Sequence, residues 1–202
     1  MSFFSSGLKT LSCVACICAA VTAHADTELD GHVGPIASFV ELGESGAWTS
    51  AIQDGWYTLT NDGALGEIQY FWASQPSVEG QDFSVSANVF TQPSNGDTSH
   101  AGLIFHYRDA DRYLAVTIAS DGGAYAFIRT PDGLDVTPAS DVSARLDGSD
   151  VLALAVRGNQ VTTTLNGETM FTIDVDGEGP TRNLGVFAAG SGVAAFTDMT
   201  LR

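Results

Sequence analysis

The chain is poor in thiols, in lysine and in helical periodicity, and each shortage closes off a class of protein. Its three cysteines, Cys13, Cys16 and Cys18, all fall within the first 25 residues. That stretch has a positive Lys9, an apolar run from Leu11 to Val21 and a small-x-small site at Ala23-His24-Ala25. Residues 1–25 are therefore expected to be a secretory signal peptide, too short and wrongly flanked for a membrane span. A lipoprotein signal needs Leu-small-small ahead of its cysteine, and Ala15-Cys16-Ile17 ahead of Cys18 is a poor match. The exported chain, secreted or periplasmic, would carry no thiol into an oxidising compartment. A hydrophobic core rather than disulfides must then stabilise it. The roughly 177 residues that remain can bury about 70% of the surface of the unfolded chain, enough for one ordinary domain.

Positive charge is equally scarce. Lys9 is the only lysine, so cleavage after Ala25 lowers the formal net charge of −16 by one, to near −17. A field of that sign repels nucleic acid and anionic lipid and excludes both as partners. The acidity fits cation binding, a salty environment, or the general solubility of an exported protein.

What the chain has instead is strand-sized alternation punctuated by Gly, Asp and Asn. Residues 26–34 read as a polar, flexible tail, and residues 35–202 as one domain. Pro35 to Leu42 has the composition of a first strand. Trp48 to Thr60 holds two short strands about an Asp54-Gly55 turn. From Asp82 to Gln92, Phe83, Val85, Ala87 and Val89 share one face. Val151 to Val156 is apolar throughout, which predicts cover on both faces. Gly158-Asn159 pairs Val156 with Val161, and Asn166-Gly167 is a type I′ hairpin signal. Leu184 to Ala189 and Val193 to Leu201 close the chain. Many short strands at 8–12-residue spacing predict an all-β fold, an antiparallel jelly-roll β-sandwich of two sheets.

The stretch from His100 to Gly133 reads as three consecutive strands at the centre of a sheet, with any working surface on the side away from the core. A four-residue loop, Arg108 to Asp111, would set His106 opposite Tyr113 and Phe105 opposite Leu114. Leu103, Phe105, Leu114 and Val116 then form an apolar face, with Ile104, His106, Tyr113 and Thr117 on the other. The next turn has two registers. A two-residue Asp121-Gly122 turn sends Arg129 to the core face. A three-residue Asp121-Gly122-Gly123 turn brings Tyr125, Phe127 and Arg129 beside Tyr113.

Further features recur in order: Trp48, Gly55 and Trp56; Asp82-Phe83-Ser84-Val85; the hairpin GLIFHYRDADRY from Gly102 to Tyr113; Leu165-Asn166-Gly167; Leu184-Gly185-Val186-Phe187; and Phe196-Thr197-Asp198-Met199-Thr200-Leu201. This order resembles the concanavalin A-like lectin/glucanase superfamily, in its laminin-G-like and 3-keto-disaccharide hydrolase branch. The resemblance spans nearly the whole exported chain and implies the jelly-roll fold. Its motifs are mainly turn glycines and core aromatics, which specify fold better than activity. The family-16 glycosidase pattern E-[IL]-D-x-x-E does not occur. Neither do the Q-[IV]-H and R-x-E-x-R strands of jelly-roll alginate lyases. His106 stands where the related hairpin often has Arg.

These readings yield a carbohydrate-binding domain without catalysis, taking a glycan or polysaccharide through His106 and Tyr113, joined by Arg129 and Tyr125 if the turn register allows. A base at His106 would need a partner such as Glu67, Asp82 or Asp97. His100, six residues away and about 20 Å along the strand, is too distant to share a site with it. Asp174-Val175-Asp176-Gly177-Glu178 opens like a calcium loop, with Asp174, Asp176 and Glu178 as candidate Ca2+ ligands. Gly185 at position twelve and the lack of flanking helices exclude an EF-hand. The alternatives are a hydrolase of modified (3-keto) disaccharides or glycosides, and a calcium-stabilised adhesion module.

Overall fold

The computed structural model describes residues 42–63, 68–74, 82–94, 96–109, 111–175 and 183–202, without the side chains of 72–74 and 106–109. The expected signal, tail and first strand lie outside the described residues, apart from the exposed Leu42. Among the described residues all fourteen elements are strands: β1 (Gly43–Ser45), β2 (Trp48–Gln53), β3 (Trp56–Asn61), β4 (Ile68–Ser74), β5 (Phe83–Pro93), β6 (His100–Asp109), β7 (Arg112–Ala119), β8 (Ala124–Thr130), β9 (Gly133–Pro138), β10 (Asp150–Arg157), β11 (Gln160–Leu165), β12 (Glu168–Asp174), β13 (Asn183–Ala189) and β14 (Gly192–Leu201). They build two antiparallel sheets. One has eight strands in the order β1-β2-β3-β14-β5-β10-β11-β12, and the other six, β4-β13-β6-β7-β8-β9. The last two strands each insert between strands from early in the chain, so long-range pairing closes both sheets. This is the two-sheet jelly roll that the turn spacing predicts.

The core follows from period-two alternation. Phe83, Val85, Ala87 and Val89 of β5 all point inward. They share one apolar cluster with Leu103 and Phe105 of β6 and Leu114 and Val116 of β7. Each such Val, Leu or Phe side chain taken fully out of water contributes about 1.5–3 kcal/mol. β10 departs from its predicted cover on both faces: Leu152, Leu154 and Val156 are buried, but Val151 is 46% exposed. An interior strand of an antiparallel sheet still shows one face to solvent, and here the outward positions happen to be Val and Ala. Asp54-Gly55 (φ 50° and 81°) and Asn166-Gly167 (φ 52° and 88°) place both turn residues in the left-handed region, as type I′ hairpins require.

Two register events decide what the six-stranded sheet offers. Phe105 does pair with Leu114, but the next pair is Asp109 with Arg112, a shift of two residues. Residues 106–108 therefore face the single residue Tyr113, and the predicted four-residue loop from Arg108 to Asp111 gives way to a bulge followed by the Asp109–Arg112 pair. Beyond β7, Ile118 pairs with Ala124 and Tyr113 with Arg129. The turn is a three-residue one, shifted one position earlier to Ser120, Asp121 and Gly122. It is closed by hydrogen bonds from Ala119 N–H to the Gly123 carbonyl and from Gly122 N–H to the Ala119 carbonyl. Gly122 supplies the left-handed φ of 88°. Its parity is that of the three-residue alternative, and Tyr125, Phe127 and Arg129 share the face of Tyr113.

Candidate functional site

The outward face of the six-stranded sheet is assembled from rows of cross-strand neighbours. Tyr70, Phe187, Gly102, Thr117 and Tyr125 form one row across β4, β13, β6, β7 and β8. Gly185, Ile104, Ala115 and Phe127 form the next, followed by Tyr113 beside Arg129. The two middle strands thus present small side chains, Gly102, Ala115 and Thr117, between larger ones. Aromatic rings from the flanking strands lean in over this trough. Phe187 and Phe127, separated by β6 and β7, bring their ring centres to 5.1 Å.

The contacts continue as a ribbon of rings. Tyr70 meets Tyr113 at 5.5 Å, and Tyr113 meets Phe187 at 6.0 Å. His100 meets Phe127 at 5.3 Å and Tyr125 at 5.2 Å, both edge-on. Ile104, Tyr113, Ala115, Phe127, Phe187 and Ala189 form a second buried cluster, distinct from the sandwich core. Tyr113 is only 6% exposed, so its ring packs within this cluster and does not offer an open stacking platform. The accessible groups of this face include Tyr70, His100, Tyr125 and Arg129, beside Ile68 and the exposed Leu134 and Val136 of β9.

At one end, Arg129 donates from Nη2 to Asp111 Oδ1 at 3.3 Å, an exposed pair of small energetic worth. Its Nε is buried with no hydrogen-bond acceptor among the described residues. Burial raises the Tyr113 phenol above its ordinary pKa of 10.0, and the neighbouring Arg129 charge pulls it partly back. At the other end, about 13 Å along β8 at about 3.3 Å per residue, Tyr125 folds over Gly123. A Cβ on Gly123 would sit 2.5 Å from the Tyr125 ring. The Tyr125 hydroxyl donates to Asp121 Oδ2 at 3.4 Å, while Asp121 Oδ1 accepts from Gly123 N–H at 2.8 Å. Burial, then the Asp121 charge, raises the Tyr125 phenol. His100 Nδ1 lies 3.4 Å from Thr117 Oγ1. Burial lowers its pKa, opposed by the carboxylates of Asp121 and Asp97.

Of the four expected contacts, Tyr113, Tyr125 and Arg129 are brought to one face. The backbone of His106 falls in the β6 bulge, its side chain outside the described residues. Among its suggested partners, Glu67 lies outside the described residues. Asp82 instead caps a turn of the other sheet, accepting from Gly158 N–H at 2.9 Å. Asp97 is near His100. His100 cannot reach His106 along the strand, yet its neighbours come from β7 and β8, not from its own strand. Asp111, readable as a turn former, is the partner of Arg129. In the proposed calcium loop, Asp174 is exposed and accepts from Gln160 Nε2 at 3.3 Å. Asp176 and Glu178 lie outside the described residues. No cluster of three His, Cys, Asp or Glu able to hold a metal occurs among the described residues. Trp48 and Tyr57 belong to the core, and Trp56 faces outward from the opposite sheet.

Neither a protein-family model nor a curated protein sequence matches this chain. Solved structures do match in shape. The carbohydrate-binding module CBM66 from Bacillus subtilis superposes with a TM-score of 0.54 at 12% identity, over 77% of this chain and 95% of that one. A protein of unknown function with a galectin-like fold, also from Bacillus subtilis, gives 0.53 at 12%, over 78% and 86%. The carbohydrate recognition domain of Emp46p, in its potassium-bound form, gives 0.50 at 12%, over 77% and 88%. At such identities the likeness is one of fold alone: this chain has the two-sheet antiparallel jelly roll of those structures.

Proposed function

We propose that this chain is an exported carbohydrate-binding domain, released from its signal near Ala25, that binds a glycan or polysaccharide without transforming it. The observation that carries the reading is Arg129. Its buried Nε has no acceptor among the described residues, and it shares a strand face with the half-buried Tyr125. A planar fork of donors and an aromatic with a phenolic handle, held on a rigid sheet, suit the hydroxyls and the apolar face of a sugar. Tyr113 is the cross-strand neighbour of Arg129, and His106 in the adjacent bulge completes the proposed set. The fold likeness to a carbohydrate-binding module and a carbohydrate recognition domain supports this reading, as does the resemblance to the laminin-G-like and 3-keto-disaccharide hydrolase branch.

A glycan array on the exported chain is expected to show binding, with Arg129→Ala and Tyr125→Ala each weakening it about tenfold, or about 1.4 kcal/mol. No binding by the parent chain refutes the reading. Turnover of a 3-keto-glycoside that is lost in His106→Ala would replace it with a hydrolase. A melting temperature that falls on chelation would indicate a calcium-stabilised module built on Asp174, Asp176 and Glu178.

A further inference from the structure

The eight-stranded sheet also has an outward face, which carries a groove that the Arg129 site does not use. Pairing sets Ala51, Thr58, Ala195 and Phe90 side by side across β2, β3, β14 and β5. Ala195 forms the floor, Trp56 and Phe90 are half-buried walls, and Gln53, Asp54 and Ser149 stand around the rim. The groove is open to solvent and holds about 300 Å³. The walls are held from behind, because Tyr57 and Val89, the next residues on their strands, are fully buried in the core. The rim is held as well. Asp54 occupies the type I′ turn, and Thr197 Oγ1 donates to the Gly55 carbonyl at 3.2 Å.

We propose that this groove is a second saccharide site, which takes one neutral hexopyranose unit. It goes beyond the Arg129 reading, since it lies on the opposite sheet and shares no residue with it. Two aromatic walls receive the C–H faces of a ring, while a carboxamide, a carboxylate and a hydroxyl at the rim meet its hydroxyls. A volume of about 300 Å³ is at the lower end for small-molecule sites, which fits one ring better than a chain segment. The Asp54 carboxylate, on a chain of formal charge −16, opposes an acidic sugar. Sites on the two outer faces of one sandwich would let a single domain bridge two glycan chains.

The test is tryptophan fluorescence of the exported chain during titration with glucose, galactose, mannose, N-acetylglucosamine and glucuronate. At least one neutral sugar should change the emission, and glucuronate should not. Ala195→Leu, which fills the floor, and Phe90→Ala, which removes a wall, should each abolish the response while melting cooperatively. Arg129→Ala should leave it intact, which separates this site from the one on the other sheet. The proposal is overturned if no neutral sugar gives a response or if the response survives both groove variants. Loss of the response in Arg129→Ala, or tighter binding of glucuronate than of any neutral sugar, also overturns it.

Discussion

At His100, burial and charge pull in opposite directions, and burial wins. The ring lies among Tyr125 and Phe127, with Asp121 and Asp97 the charged groups acting on it. Its folded pKa is below the ordinary 6.5, so the unfolded chain binds the proton more readily. Stability contributed by neutral His100 is present above about pH 6.5 and is lost as pH falls from there toward the folded pKa. The melting temperature should therefore decline between about pH 7.5 and about pH 5.5. His100→Gln should flatten that slope, and an unchanged slope would place the titration elsewhere. Asp150 is the other telling side chain. It is fully buried, accepting from Arg145 N–H at 2.9 Å and from Asn166 Nδ2 at 2.6 Å. Asp150→Ala removes the buried acceptor of both bonds and should cost about 2–3 kcal/mol by denaturant titration, since a hydrogen bond to a charged group contributes about 1.5–3 kcal/mol. A loss below about 1 kcal/mol would show that water replaces the carboxylate.

Single elements decide the composition of the outward face. The Ser120 to Gly122 turn sets the parity of β8, and with it whether Tyr125 and Arg129 meet solvent or the core. Either parity was compatible with the Asp-Gly-Gly run, because each glycine could supply the left-handed residue. The structure uses Gly122 for that purpose and keeps Gly123 bare so that the Tyr125 ring can lie across it. Gly123 has no left-handed φ, so Gly123→Ala leaves the turn feasible but displaces the ring. Glycan affinity should fall about as far as in Tyr125→Ala, roughly tenfold, with a melting temperature close to the parent. Unchanged affinity would mean that the seated ring is not part of the site. The β6 bulge shows the limit of pattern reading in the other direction. Simple alternation placed His106 opposite Tyr113, and nothing in residues 106–109 announces two extra residues.

Across the whole molecule, self-repulsion is the largest uncompensated term visible in the composition. With 24 acidic and 8 basic side chains, the folded chain concentrates negative charge that the unfolded chain spreads out. Raising NaCl from about 20 to about 500 mM shortens the screening length several-fold and should raise the melting temperature. A fall would indicate that specific ion pairs dominate. The exposed pair Arg129–Asp111, whose side chains are 35% and 68% accessible, is too weak for that.

Alternation, turn dipeptides and the order of motifs were enough to specify an antiparallel sandwich, the inward faces of β5, β6 and β7, and the hairpins at Asp54-Gly55 and Asn166-Gly167. These are local properties, since strand period and left-handed turn residues are written within a few positions. The candidate sites depended on contacts between distant strands. Gly102, Ala115 and Thr117 become a trough only because β13 and β8 flank β6 and β7. His100 acquires its aromatic neighbours from β8. Trp56 finds Phe90 only because β14, the last strand, inserts between β3 and β5. No spacing within one segment encodes which strands will be neighbours, so tertiary pairing alone assembled both outward faces.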